Sequence, residues 1–207
     1  MTTFPPRELV LGTRNAKKAG ELRELLEPHG FRLITLADLP ESIEVDETGT
    51  SFQENAQLKA IEQARHLGRW VLGEDSGLSV DALNGAPGIY SARFAGPTAK
   101  DPDNNALLLE KLSGIPDERR TAHYTCHMSL SDPEGKVWID TEGYCCGRIL
   151  RTPSGAGGFG YDPLFEVPEY HQTFGQLGPA VKAMLSHRAR AARLLLRQLL
   201  SASGQAS

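Results

Sequence analysis

Residues 155–163 read Gly-Ala-Gly-Gly-Phe-Gly-Tyr-Asp-Pro, and the stretch argues against the fold that its own glycines suggest. Gly155, Gly157 and Gly160 match G-x-G-x-x-G, which in a dinucleotide-binding fold must follow a strand and open a helix. Here Tyr161, Asp162 and Pro163 come next, then the apolar run 164–167 and a second proline. The loop therefore leads into a short extended segment, and a dinucleotide-dependent oxidoreductase is disfavoured. A loop with so little side-chain bulk allows close backbone approach to a ligand. It displays one aromatic, Phe159, beside a tyrosine and a carboxylate, which suits a flat heterocycle with hydrogen-bonding edges. A plain glycine-rich turn between strands is the competing reading of the loop alone.

Working outward, the chain alternates strands and helices at both ends and carries a long hairpin between them. Residues 8–12 read as a strand and 15–27 as a helix with Leu22, Leu25 and Leu26 on one face, ended by Pro28 and Gly30. Residues 31–36 form a second strand and 38–49 an acidic loop. Thr50-x-x-Gln53 and Ser51-x-x-Glu54 are overlapping capping boxes for a helix to about Leu67. Residues 70–72 read as a short buried strand ending in Gly73-Glu74-Asp75-Ser76-Gly77, and 101–112 as a helix capped by Asp101. Residues 121–130 and 136–146 pair through the turn Asp132-Pro133-Glu134-Gly135. The last helix runs from Ser186 to about Leu200, with Leu194, Leu195, Leu196, Leu199 and Leu200 facing inward. The expected fold class is α/β, a mixed sheet flanked by helices with a long central antiparallel pair, rather than a doubly wound parallel sheet.

The 207 residues suffice for one large domain, expected over 1–202, with 203–207 as a disordered tail. The apolar runs are too short to cross a bilayer, and the N-terminus has no apolar core of signal-peptide type, so a cytoplasmic, non-membrane protein is expected. Cys126, Cys145 and Cys146 form neither an even disulfide framework nor a C-x-x-C metal knuckle. A net charge of −4 removes the usual electrostatic argument for a nucleic-acid surface, so any phosphate site must be a local basic pocket.

Two helices place their charges against the dipole. Helix N-termini carry partial positive charge and favour Asp and Glu. The first helix instead begins Thr13-Arg14-Asn15-Ala16-Lys17-Lys18, and the last begins Ser186-His187-Arg188 with Lys182 upstream. Each such cation costs about 0.3–1 kcal/mol unless an anion sits there, in which case N–H groups, dipole and cations act together. The first cluster directly follows a strand, at the sheet edge where α/β proteins place ligands. A solvated basic face is the alternative, and Arg190, Arg193 and Arg197 form one on the last helix.

Carboxylates at Glu74 and Asp75, with Asp46 and Glu47 in the acidic loop, suit Mg²⁺, which takes one or two carboxylates, waters and substrate phosphate oxygens. Two acids at a buried strand are costly without nearby charge. Ser76 serves either a turn or a phosphate. His123 and His127 share a strand face, but no third ligand is spaced to complete a zinc site.

Together, TRNAKKAGEL from 13, ETGTSFQENAQLKA from 47, EDSGLSVDALNGAPGIYSARFAG from 74, SGAGGFGYDPLF from 154 and KAMLSHRARA from 182 resemble the inosine triphosphate pyrophosphatase (Ham1, RdgB-like) family over nearly the whole chain. The resemblance implies an elongated, two-lobed mixed α/β fold, a homodimer, and Mg²⁺-dependent cleavage of ITP, dITP and XTP to the monophosphate and pyrophosphate. It places the triphosphate loop on Thr13, Arg14, Asn15, Ala16, Lys17 and Lys18, the catalytic acid on Asp75 and a substrate contact on Ser76. The metal glutamate falls on Glu47, with Asp46 competing. The base site falls on Phe159, Gly160, Tyr161 and Asp162, closed by Lys182, His187 and Arg188. Arg14 stands where the family commonly has glycine, and Glu74 where it commonly has aspartate. A Maf-like pyrophosphatase shares the opening loop but not the second half of this pattern. A non-catalytic nucleotide-binding or RNA-binding module would not need Glu47, Glu74 and Asp75.

In the implied mechanism, Asp75 orients or deprotonates a water for attack at the α-phosphorus, while Lys17, Lys18 and the helix N-terminus stabilise the leaving pyrophosphate. Donors from His187 and Arg188 meet a 6-oxo group where adenine offers a clashing amino donor. Guanine shares the 6-oxo group, so rejection of GTP must come from contacts around the 2-position.

Overall fold

The computed structural model describes Phe4 and residues 6–204. The elements in chain order are β1 (Glu8–Leu11), α1 (Ala16–Leu26), β2 (Arg32–Thr35), α2 (Phe52–Leu67), β3 (Val71–Val80), α3 (Asp101–Lys111), β4 (Thr121–Ser131), β5 (Val137–Ile149), β6 (Phe165–Val167), β7 (Gln172–Thr173), α4 (Pro179–Leu185) and α5 (His187–Gly204). One mixed sheet has the order β2-β1-β3-β4-β5-β6-β7. β1 is parallel to both β2 and β3, while β5–β6 and β6–β7 are antiparallel. The mixed α/β class expected from the alternation of elements is what forms. Among the described residues, no helix is long and apolar enough to cross a membrane.

The described residues divide into two compact units, the first drawn from Met1–Asp75, Cys126–Gly143 and Arg188–Ser207, the second from Ser76–Thr125 and Tyr144–His187. In the first unit β1 is buried on both faces, as parallel strands between helices are. Leu9 and Leu11 join Ala19, Leu22 and Leu26 of α1 and Leu195 and Leu199 of α5. Val10 faces the other way and meets Ala64 of α2. The core of the second unit holds Leu78 and Val80 of β3, Leu108 of α3, Tyr124 of β4, Tyr161, Phe165 and Phe174.

Four expectations are corrected. β3 does not stop at Leu72 but runs ten residues to Val80, so Glu74 and Asp75 lie inside a strand rather than at its end. Gly73, read as a terminator, is there for close approach: a Cβ on it would overlap the carbonyl oxygen of Ala56 and crowd the amide of Ala60 on α2. At α3, Lys100 is the N-cap, and Asp103 rather than Asp101 accepts its N–H, at 2.9 Å. The last helix, α5, starts at His187 as expected from its onset near Ser186, whose ψ of 154° is extended and separates it from α4. α5 reaches Gly204, past the expected end near Leu200, and the remaining tail, 205–207, lies outside the described residues. Five leucines exceed what one helix face can bury: Leu195 and Leu199 are buried, while Leu194 and Leu200 stay exposed.

Candidate active site

In the first unit, the loop between β1 and α1 is ordered by its own side chains. Thr13 Oγ1 accepts the N–H of Asn15 at 3.1 Å, and Asn15 caps α1 by accepting from Lys17 at 3.0 Å and Lys18 at 3.2 Å. Two N–H groups expected to face an anion are thus satisfied by the cap in this state. No acidic residue occupies the first turn, so the dipole is uncompensated there by any carboxylate of the helix itself. Ala16 and Lys17 are exposed at its start. Arg14, assigned to phosphate by the resemblance, points elsewhere: its Nη2 donates to Ser42 Oγ at 2.8 Å and to the carbonyls of Ser42 and Ile43. It ties the loop to the acidic segment before α2.

The carboxylates of β3 face different partners, because side chains alternate across a strand. Glu74, with a side chain 1% exposed, pairs with Lys18 at 3.2 Å and with Arg188 Nη2 at 2.9 Å. Arg188 Nη1 also pairs with Glu21. Arg188 was expected beside the base, but both of its terminal nitrogens are committed to carboxylates. Burial alone would lower its pKa, yet the carboxylates of Glu74 and Glu21 outweigh that and hold the guanidinium firmly charged.

Asp75 faces α2. Lys59 Nζ lies 2.8 Å from both Asp75 Oδ1 and Glu47 Oε1, so one ammonium bridges the two acids. Asn55, one turn earlier on the same helix face, donates to Asp75 Oδ2 at 3.4 Å and accepts from Gly49 N at 2.9 Å. Burial pushes the Asp75 carboxyl up, and the charges of Lys59 and Lys18 offset only part of that. Burial pulls Lys59 down, but Asp75 and Glu47 more than restore it. Of the two adjacent acids, Glu47 is the one that converges with Asp75. Lys59 and Asn55 escaped the sequence reading. Their i, i+4 spacing within an otherwise alanine-lined face, Ala56 and Ala60, was the available signal.

Two hard carboxylate oxygens aimed at one cation are the donor set that a Mg²⁺ ion accepts, with waters and phosphate completing its shell. No group of three or more His, Cys, Asp or Glu suited to a metal occurs among the described residues. The pair therefore fits an ion that borrows ligands from its substrate, and not an all-protein cage. His127 is engaged with Asp140 at 3.1 Å.

In the second unit, the glycine loop packs backbone on backbone. Gly157 N donates to Gly175 O at 2.8 Å, and a Cβ on Gly155 would overlap that same carbonyl. The close approach expected for a ligand is thus partly used by the chain itself. Gly158 adopts φ 74°, and a side chain there would run into the Asp162 carboxylate. Asp162 Oδ2 accepts Phe159 N at 2.8 Å and Lys182 Nζ at 2.6 Å. Lys182 Nζ stands 4.5 Å from the Phe159 ring centroid, within cation–π range. Tyr161 is a core residue whose hydroxyl donates to Ser91 O at 2.8 Å. Burial, with Asp101 adding to it, raises its pKa well above the usual tyrosine value. The His187 ring stacks on Tyr124 at 4.6 Å and 10°. Phe159 and Gly160 are half-buried, while Tyr161, Asp162, Lys182 and His187 are buried. Ser76 is half-buried within β3.

The model of the Ham1 family matches residues 9–198. The "dITP/XTP pyrophosphatase" of Rhodopirellula baltica is 55% identical over 193 residues, 93% of each chain. Among solved structures, the HAM1 protein from Coxiella burnetii aligns with a TM-score of 0.86 at 36% identity, covering 95% of this chain and all of that one. The Staphylococcus aureus Ham1 protein aligns at 0.84 and 38%, covering 94% and 98%. With the family model spanning most of its length and relatives this similar over nearly all of theirs, the chain belongs to the Ham1 family.

Proposed function

We propose that this protein is a nucleoside-triphosphate pyrophosphatase that hydrolyses the non-standard purine nucleotides ITP, dITP and XTP to the monophosphate and pyrophosphate with Mg²⁺. The observation that carries the reading is the convergence of Glu47 and Asp75 on one cation, beside the acid-free N-terminus of α1 with its two lysines. The names of the relatives, dITP/XTP pyrophosphatases, support the substrate class. Glu47 and Asp75 would hold the ion, which when bound neutralises phosphate charge and polarises the phosphorus centre.

Asp75 takes a proton from the attacking water at its carboxylate. Asn55 fixes its rotamer, so the carboxylate is held toward the attacking water. Lys17, Lys18 and the α1 N-terminus meet the charge that builds on the departing pyrophosphate. Glu74 and Arg188 hold Lys18 in place. Phe159 stacks on the base, and Lys182 and His187 supply donors to its 6-oxo edge. Adenine presents a donor at that position, and one such unmet buried pairing costs about 1–3 kcal/mol.

Clearing such nucleotides from the free pool is a cytoplasmic task, and the assembly we assign is a homodimer. Product analysis tests the reaction type. ITP with Mg²⁺ should yield IMP and pyrophosphate in equal amounts. IDP and inorganic phosphate would overturn the assignment of attack at the α-phosphorus.

A further inference from the structure

Gly160 is held at both of its backbone polar groups by one face of α3. Asp101 Oδ2 accepts the Gly160 N–H at 2.8 Å, and Asn105 Nδ2 donates to the Gly160 carbonyl at 3.1 Å. The two side chains are four residues apart and so lie one above the other on the helix. The helix is itself anchored by Asn104, 3% exposed, which accepts from Ala95 N at 2.8 Å and donates to Ala92 O at 3.1 Å. Tyr161 ties the residue after Gly160 to Ser91. The segment from Ser91 to Ala95, α3 and the pair Gly160–Tyr161 thus form one hydrogen-bonded block within the second unit.

Gly160 adopts φ 63°, and open space surrounds the position a Cβ would take. Glycine is needed there for its conformation, not for room, and a glycine left alone samples many conformations. Gripping its N–H and its C=O selects one. The grip also carries a defect: Asn105 Oδ1 is buried and finds no hydrogen-bond partner among the described residues. A buried acceptor without a partner costs stability, and an apolar side chain would avoid that cost. The bond to the Gly160 carbonyl is thus kept alongside an unpaired acceptor on the same side chain.

We propose that Asp101 and Asn105 are specificity-positioning residues, which fix the Gly160 peptide groups and thereby the direction in which Phe159 is presented to a purine. The proposal rests on the functional reading above. Neither residue touches the reacting atoms, so they act on base recognition and leave the chemical step alone.

The test combines pyrophosphate release from ITP and from ATP with thermal unfolding, for wild type, Asn105→Leu, Asp101→Ala and Asp101→Asn. Losing the hydrogen bond that orients the loop should raise the KM for ITP about tenfold in Asn105→Leu and Asp101→Ala, with kcat within about twofold. The preference for ITP over ATP should fall by a similar factor. The melting temperature of Asn105→Leu should stay within about 3 °C of that of wild type, since losing the orphan acceptor offsets the lost bond to the Gly160 carbonyl. Asp101→Asn keeps an oxygen that accepts from Gly160 and should restore wild-type KM. An unchanged KM and preference in Asn105→Leu, a KM loss that follows a loss of melting temperature, or equal impairment of Asp101→Asn and Asp101→Ala would overturn the proposal. Wild-type protein that releases no pyrophosphate from ITP would instead overturn the functional reading on which it rests.

Discussion

Replacing Glu74 by Gln removes the charge at the centre of the most deeply buried ionic group in the first unit. The Glu74 side chain is 1% exposed and that of Arg188 is 2% exposed, whereas Lys18 is 19% exposed and can turn toward water. The cost therefore falls on Arg188, left with Glu21 as its remaining carboxylate among the contacts described above. Removing one partner of a buried pair costs about 3–5 kcal/mol. The surviving Glu21 contact, and a glutamine oxygen that still accepts, place Glu74→Gln near the low end, at about 3 kcal/mol. With a urea m-value of roughly 2 kcal/mol/M, the midpoint should fall by about 1.5 M. Trp70 and Trp138, the only two tryptophans, both lie in the first unit and report its unfolding by fluorescence. Glu21→Gln, at a carboxylate 24% exposed, should cost well under half as much. Replacing the pair together, as Glu74→Leu with Arg188→Met, should recover much of the loss, because apolar side chains need no counter-ion. A Glu74→Gln midpoint within about 0.3 M of wild type, or a Glu21→Gln loss as large as that of Glu74→Gln, would refute the reasoning.

Lys59→Met leaves Glu47 and Asp75 converging without their shared ammonium, so Mg²⁺ should stabilise this variant more than wild type. At tenfold over its Kd the ion adds about 1.4 kcal/mol, or roughly 3–6 °C in melting temperature, and a scan with and without Mg²⁺ that shows no difference between the two proteins would contradict it. The β4–β5 turn gives a pH prediction. Burial opposes charge on Asp132, but hydrogen bonds from the Trp138 indole and the N–H groups of Lys136 and Glu134, with the charge of Lys136, outweigh it and lower its pKa on folding. The stability it contributes is present above the unfolded aspartate value of about 3.9 and is lost as pH falls through the lower folded value. Asp132→Asn should therefore flatten the acid limb of unfolding midpoint against pH, and an unaltered limb would count against the contribution.

The elements that local chemistry dictates were legible in the sequence. Of the two overlapping boxes, the one at Ser51 supplies the cap of α2: Ser51 Oγ accepts from Glu54 N at 3.1 Å, and the Glu54 carboxylate reaches back to Thr50 N at 2.6 Å. The turn from Asp132 to Gly135 closes as its residues predict, with Gly135 N donating to Asp132 O at 3.0 Å. What escaped was set by partners far along the chain. Two acids after Gly73 look like the end of a strand until Lys59, Lys18 and Arg188 neutralise them within it, and none of those is a sequence neighbour. Arg14 read as a phosphate cation because nothing local tells that Ser42 and Ile43 are within its reach. The ion pairs of Arg188 with Glu21 and Glu74 were hidden for the same reason. Local chemistry was not always decisive either: the cap of α3 read as Asp101, but Lys100 takes it and Asp103 accepts its N–H.

The central claim is that Asp75 drives pyrophosphate release from 6-oxo purine triphosphates. The most direct measurement is pyrophosphate release with Mg²⁺ from ITP, XTP, GTP, ATP and UTP side by side, for wild type and Asp75→Asn. The account predicts strong turnover of ITP and XTP over GTP and ATP, nearly abolished in a variant that remains folded. Wild-type-like turnover by folded Asp75→Asn, or a wild type that prefers UTP or ATP, would contradict it.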